Sequence, residues 1–155
     1  MTSALNADED IEQVRQALEG YIETWNSGRV SGLRRFWDLQ HPEPVYVAEE
    51  QEALSGWSAI EAYWAALDGL KVRVTAGVLQ LSTLTPDVIL AHYPMHWRIE
   101  FDAHPHWTRP IGGHVRVSVI FAQRPEGWKI LHYIEAPLAP AVQVRKWLEK
   151  DAGPG

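Results

Sequence analysis

Residues 112–137, GGHVRVSVIFAQRPEGWKILHYIEAP, constrain the fold more than any other stretch. Val115, Val117, Val119 and Phe121 alternate with His114, Arg116, Ser118 and Ile120. A period of two marks a strand with one buried face. Arg124-Pro125-Glu126-Gly127 then supplies a turn, because Pro fixes φ and Gly permits positive φ. Trp128 to Ala136 resumes with aromatic and branched residues. The run predicts a long antiparallel hairpin, and the rest of the chain is expected to cover one of its faces.

Upstream, Ile11, Val14, Leu18, Ile22 and Trp25 recur at spacings of three and four, one apolar stripe of a helix. Asp8, Glu9 and Asp10 put negative charge at its expected start, and Asn26-Ser27-Gly28 is a C-terminal stop. Residues 31–38 read as a second, short helix broken by His41-Pro42-Glu43-Pro44. Val45-Tyr46-Val47 is a short strand. Residues 49–52 read as an exposed turn before a second short strand at Ala53-Leu54. Gly56-Trp57-Ser58 opens a third helix, with Ser58 and Glu61 spaced as a capping box. A long strand is expected over residues 71–84, interrupted at Gly77. Another spans 88–101, with Ile89, Ala91, Tyr93, Met95, Trp97, Ile99 and Phe101 on one face and His92, Pro94, His96, Arg98 and Glu100 on the other. Residues 102–111 form a Pro-rich connection, and residues 139–150 a terminal helix. Segregated helices and antiparallel strands give an α+β fold. A strongly bent antiparallel sheet wrapped on the N-terminal helix makes a cone whose open end is the natural ligand site. A single domain over residues 8–150 follows, with flexible tails at 1–7 and 151–155.

Composition narrows the function. The formal net charge of −6 and the lack of a basic cluster argue against a nucleic acid or anionic membrane partner. No apolar run approaches the ~20 residues that span a bilayer, and no signal peptide is evident, so a cytoplasmic location is expected. Without cysteine there is no thiolate nucleophile and no Cys metal site. His92 and His96 share a strand face but lie ~13 Å apart along it, too far to chelate one ion. No metal and no cofactor are therefore expected. Eight Trp must fill a core, a cavity or an interface.

Gly56-Trp57-Ser58-Ala59-Ile60-Glu61-Ala62-Tyr63-Trp64 resembles the helix start, G-W-x-x-I-x-x-Y-W/F, of nuclear transport factor 2-like, SnoaL-type domains. Glu126-Gly127-Trp128-Lys129-Ile130-Leu131-His132-Tyr133 resembles their final strand, D-G-x-W-x-I-x-H. The ending is also similar to the association domain of calcium/calmodulin-dependent protein kinase II. The resemblance spans residues 8–138 and implies a cystatin-like, cone-shaped fold. It also implies a small-molecule cavity and dimerisation through the outer sheet face. This chain has Ile134 and Ala136 where the family's last strand often carries His and Ser, and Val119 where the kinase domain carries a pocket Arg. An apolar or aromatic ligand therefore suits the cavity better than a carboxylate.

In such a fold His132, Tyr46, Asp38 and Glu135 are the candidate acid–base residues. His132 and Glu135 are three apart, so on a regular strand they face opposite ways. His132 is the preferred base, with Tyr46 and Asp38 as partners; Glu135 is the alternative should Tyr133 and Glu135 look inward instead. Trp25, Trp37, Trp57, Trp64, Tyr93, Met95, Trp97, Val117 and Val119 are the candidate ligand-binding residues. The functional expectation is a SnoaL-like small-molecule-binding protein, with cofactor-free isomerase, dehydratase or cyclase chemistry open to it. The other class is a non-catalytic homo-oligomeric interaction module.

Overall fold

The computed structural model describes residues 2–100 and 111–138, with side chains from Asn6 onward. The connection at 101–110, with His104 and His106, and the terminal helix and tail expected beyond residue 138 lie outside the described residues. Two helices, α1 (Thr2–Asn26) and α2 (Trp57–Leu67), and a 3-10 helix (Val30–Phe36) pack against a curved, unclosed sheet. Its strands are β1 (Val45–Val47), β2 (Leu54–Ser55), β3 (Lys71–Ala76), β4 (Gln80–Thr85), β5 (Val88–Glu100), β6 (Ile111–Arg124) and β7 (Gly127–Pro137). They run in the order β2-β1-β7-β6-β5-β3, with β4 also paired to β5. The architecture is α+β, as the order of helical and strand patterns predicts.

The hairpin forms as its alternation requires. Val115, Val117, Val119 and Phe121 of β6 are wholly buried, and the inner residues Ile89, Ala91, Tyr93 and Met95 of β5 pack beside them. Val14, Leu18, Tyr21 and Trp25 of α1 close this face. The expected strand over 71–84 is two strands, both antiparallel to β5. The break falls at Gly77, where a Cβ would meet Pro94 Cγ at 2.7 Å.

Several local features depart from expectation. Helix α1 begins at Thr2, upstream of Asp8, so Asp8 to Asp10 sit beyond its first turn. The second helix is of the tighter 3-10 type. Gly56, with φ of 84°, is the N-cap of α2 and makes no side-chain cap. Ser58 therefore falls inside the first turn, and the expected capping box does not form. The stop at Asn26 does more than end α1. Its side-chain amide donates to Val74 C=O at 2.9 Å and accepts from Val74 N–H at 2.7 Å, docking the helix end onto β3.

Candidate functional site

A narrow cavity of about 50 Å³ opens between α1, α2, β1, β3, β5 and β7. Tyr21 and Trp25 enter it from α1, four residues apart and so on one helix face. Tyr93, Met95, Trp97 and Ile99 enter from β5 at the two-residue period of an inner sheet face. Val72 and Val74 of β3, Tyr63 and Leu67 of α2, and Tyr46 of β1 add further wall. Tyr133 and Glu135 complete it from β7. The parallel pairing of β1 with β7 sets Tyr46 opposite Tyr133, and their rings stack with centroids 4.8 Å apart and planes at 11°.

The polar groups are arranged around Glu135. Its Oε1 accepts a 2.8 Å hydrogen bond from Tyr133 Oη–H, and its Oε2 accepts a 3.2 Å bond from Glu49 N–H. Burial among the rings pushes its carboxyl up to about 7, against these two bonds, with help from the charges of Glu50 and Glu49. Glu50 accepts from Tyr63 Oη–H at 2.7 Å, and Glu49 accepts from Trp97 Nε1–H at 2.5 Å. Gly113 leaves the room for this last contact, since a Cβ there would lie 2.2 Å from Glu49 Oε1. Desolvation also raises Tyr21, Tyr46, Tyr93 and Tyr133 well above the ordinary phenol range, so all four stay neutral. The hydroxyls of Tyr21 and Tyr93, residues only 1% exposed, are sealed from solvent and meet only loose polar neighbours, Trp25 and Trp37 for Tyr21 and Tyr133 for Tyr93. Such groups are costly to bury unless something else satisfies them.

A profile of the SnoaL-like domain matches residues 14–140. The chain belongs to the SnoaL-like domain family. Solved structures agree on the fold. A dehydratase candidate of the nuclear transport factor 2-like family from Streptomyces avermitilis superposes with a TM-score of 0.73 at 20% identity, covering 86% of this chain and 99% of that one. A nuclear transport factor 2-like superfamily protein from Salmonella enterica serovar Typhimurium gives 0.74 at 15% identity, covering 87% and 95%. A scytalone dehydratase candidate from Novosphingobium aromaticivorans gives 0.74 at 7% identity, covering 90% and 89%. A comparison with functionally curated proteins gives no significant sequence match.

Within this SnoaL-like fold, the expected site residues divide. Tyr46, Glu135, Trp25, Tyr93, Met95 and Trp97 line the cavity. His132 does not. A regular strand would put it on the face of Ile130, but β7 carries a bulge: Phe121 pairs with Ile130 and Ile120 with His132, leaving Leu131 unpaired. The bulge resets the alternation, so Trp128 and Ile130 are buried before it and Tyr133 after it. His132 falls on the other face, half-buried, and burial lowers its imidazole below the usual value.

Asp38 is also elsewhere. It accepts a 2.8 Å bond from Arg124 Nε and a 3.0 Å bond from Gln40 N–H, in a separate depression beside the β6–β7 turn. Trp37, Trp57 and Trp64 do not reach the cavity. Trp37 lies among the other two and Tyr46, with ring centroids 5.7–6.2 Å away, as one aromatic core. Val117 and Val119 stand on the inner face but are wholly covered. The expected site passed over Tyr21 and Tyr63, which the helical period does place beside Trp25 and Trp64. It also passed over Glu49 and Glu50, while Tyr133 enters the wall with Glu135 as the alternative reading of the last strand has it.

On the outer sheet face, His96 and His114 are directly paired, with ring centroids 4.5 Å apart, and His92 Nδ1 lies 3.3 Å from Ser118 Oγ. Among the described residues no group of His, Asp or Glu is disposed to hold a metal ion, and no helix is long and apolar enough to cross a membrane.

Proposed function

We propose that this SnoaL-like protein binds a small molecule with an apolar or aromatic body in the aromatic cavity and acts on it by acid–base chemistry, with Glu135 as the base. One observation carries the reading: a carboxylate in the cavity wall, held at both oxygens and raised to about 7. A base with that value is substantially ionised at neutral pH yet far more basic than an exposed glutamate, the balance that proton abstraction favours. Tyr133 and the Glu49 amide fix its orientation, so little reorganisation is needed when it takes a proton. That set serves an isomerisation, a dehydration or a cyclisation. Dehydratase candidates among similar folds support the same class.

The test uses 5-nitrobenzisoxazole, an aromatic compound whose ring opens when a base removes one carbon-bound proton. The expected rate exceeds that of acetate at equal carboxylate concentration and rises with a midpoint near 7. It falls about 100-fold in Glu135→Gln and is unchanged in His132→Gln. Equal rates for the wild type and Glu135→Gln would remove Glu135 as the base.

A second reading is a homodimer formed through the outer sheet face. Ile134 stands on that face, 36% exposed, one strand from the His96–His114 pair. A stable dimer would bury roughly 1,200–2,000 Å² in total. A monomeric mass in light scattering at micromolar concentration would dismiss it.

A further inference from the structure

The charges around the cavity are one-sided. Glu50 and Glu135 line it, and Glu49 touches it through Trp97 and the Glu135 hydrogen bond. Among the described residues, no Lys, Arg or His contributes to the wall. Among the described residues, every hydrogen bond that these three carboxylates accept comes from a neutral donor: a Tyr63 or Tyr133 hydroxyl, the Trp97 indole or the Glu49 amide. Neutral donors orient a carboxylate without cancelling its charge, so the mouth carries converging negative charge beside a low-dielectric aromatic interior. Aromatic rings add to that sign, since their faces are the negative pole of a quadrupole.

We infer that the ligand of this cavity carries an ammonium group on its apolar or aromatic body, and that this group lies between Glu50 and Glu135 at the mouth. The inference rests on the reading of the cavity as a small-molecule site and names the class of molecule. Its N–H groups suit what the wall leaves unsatisfied. The three protons of a primary ammonium need acceptors, and the carboxylate oxygens of Glu50 and Glu135 are acceptors. A neutral or anionic ligand of the same shape leaves Glu135, the less exposed of the two, without a counter-charge. An inorganic cation fits less well, because no group of His, Asp or Glu among the described residues is disposed to hold one.

Three probes that share one aromatic body separate the charge from the shape: 2-phenylethylamine, 2-phenylethanol and 3-phenylpropionate. Each is titrated by NMR into the full chain at pH 8 and low salt. The amine is expected to bind at least tenfold more tightly than the alcohol, and the carboxylate most weakly. Glu50 is exposed and makes one side-chain hydrogen bond, so Glu50→Gln should fold normally. In that variant the amine's advantage should shrink severalfold while alcohol binding stays the same. Alcohol binding equal to or tighter than amine binding overturns the charge inference and leaves the cavity reading standing. An amine advantage that survives intact in both Glu50→Gln and Glu135→Gln also overturns it. No binding of any probe at millimolar concentration would overturn both.

Discussion

Beside the β6–β7 turn, Asp38 accepts a 2.8 Å hydrogen bond from Arg124, with its backbone N–H bonded to Ile130 C=O. Five residues further along β7, Glu135 accepts from a phenol and a peptide N–H and meets no cation among the described residues. Partial burial raises the carboxyl of Asp38, but the Arg124 bond and charge outweigh it and hold the group below its ordinary value. For Glu135 the loss of water outweighs its two neutral hydrogen bonds, and the carboxyl rises to about 7. One strand thus holds two acids in opposite states. What separates them is whether the partner brings a charge, because a neutral hydrogen bond recovers only part of the solvation that burial removes.

The largest expected contrast is in reactivity. Glu135→Gln should lower 5-nitrobenzisoxazole opening about 100-fold, worth about 2.7 kcal/mol in barrier. Asp38→Asn should leave the rate within about twofold, and a matched loss in both variants would erase the distinction between the two acids.

Next is the pH dependence of stability, where the two acids oppose each other. Folded Glu135 keeps its proton to about 7, whereas an unfolded glutamate releases it near ~4.3. Between those values the folded state binds more protons, so this group lowers stability as pH rises through the window and has no further effect above it. Urea unfolding should therefore show Glu135→Gln gaining on the wild type by on the order of 1–3 kcal/mol between pH 4.5 and 8. A difference that stays constant with pH would mean that Glu135 titrates normally.

Asp38 behaves in the reverse sense. Its contribution is present above ~3.9 and is lost as pH falls through its lowered folded value. Asp38→Ala should cost about 1–2 kcal/mol at pH 7, with the gap narrowing below pH 4. The smallest effect tests the neighbours. The Glu49 charge helps raise Glu135, so Glu49→Gln should lower the midpoint of the rate profile without abolishing the rate. A midpoint that rises instead would assign the shift to some other cause.

How much of this the sequence reveals depends on distance along the chain. The hairpin, the inner face of β5 and the α2 motif are local patterns, and each forms where its period or turn residues say it should. The site depends on contacts that no local period encodes. Val45-Tyr46-Val47 reads as a short strand, but nothing in it announces a parallel pairing with β7 that carries Glu49 to Glu135. The bulge at Leu131 has no Gly or Pro to mark it, and one unpaired residue reverses the facing of every residue after it. That single step is why the imidazole of His132 and the carboxylate of Glu135 exchange their expected places. Asp38 shows the same limit, since its partner Arg124 is far away in sequence.

The amide of Asn26 has a consequence outside the cavity. β3 ends the sheet's order on its side, and a free sheet border is a template on which a second chain can continue the ladder. At Val74 both backbone groups are already taken by one side chain that imitates a peptide, and at Val72 the N–H is taken by Leu70 C=O. A neighbouring molecule arriving at this border finds no vacant pair at Val74 to begin zipping. The helix end that shapes one wall of the cavity thereby also guards the protein against polymerising with itself, and loss of that one amide would expose the border to aggregation before it disturbed the core.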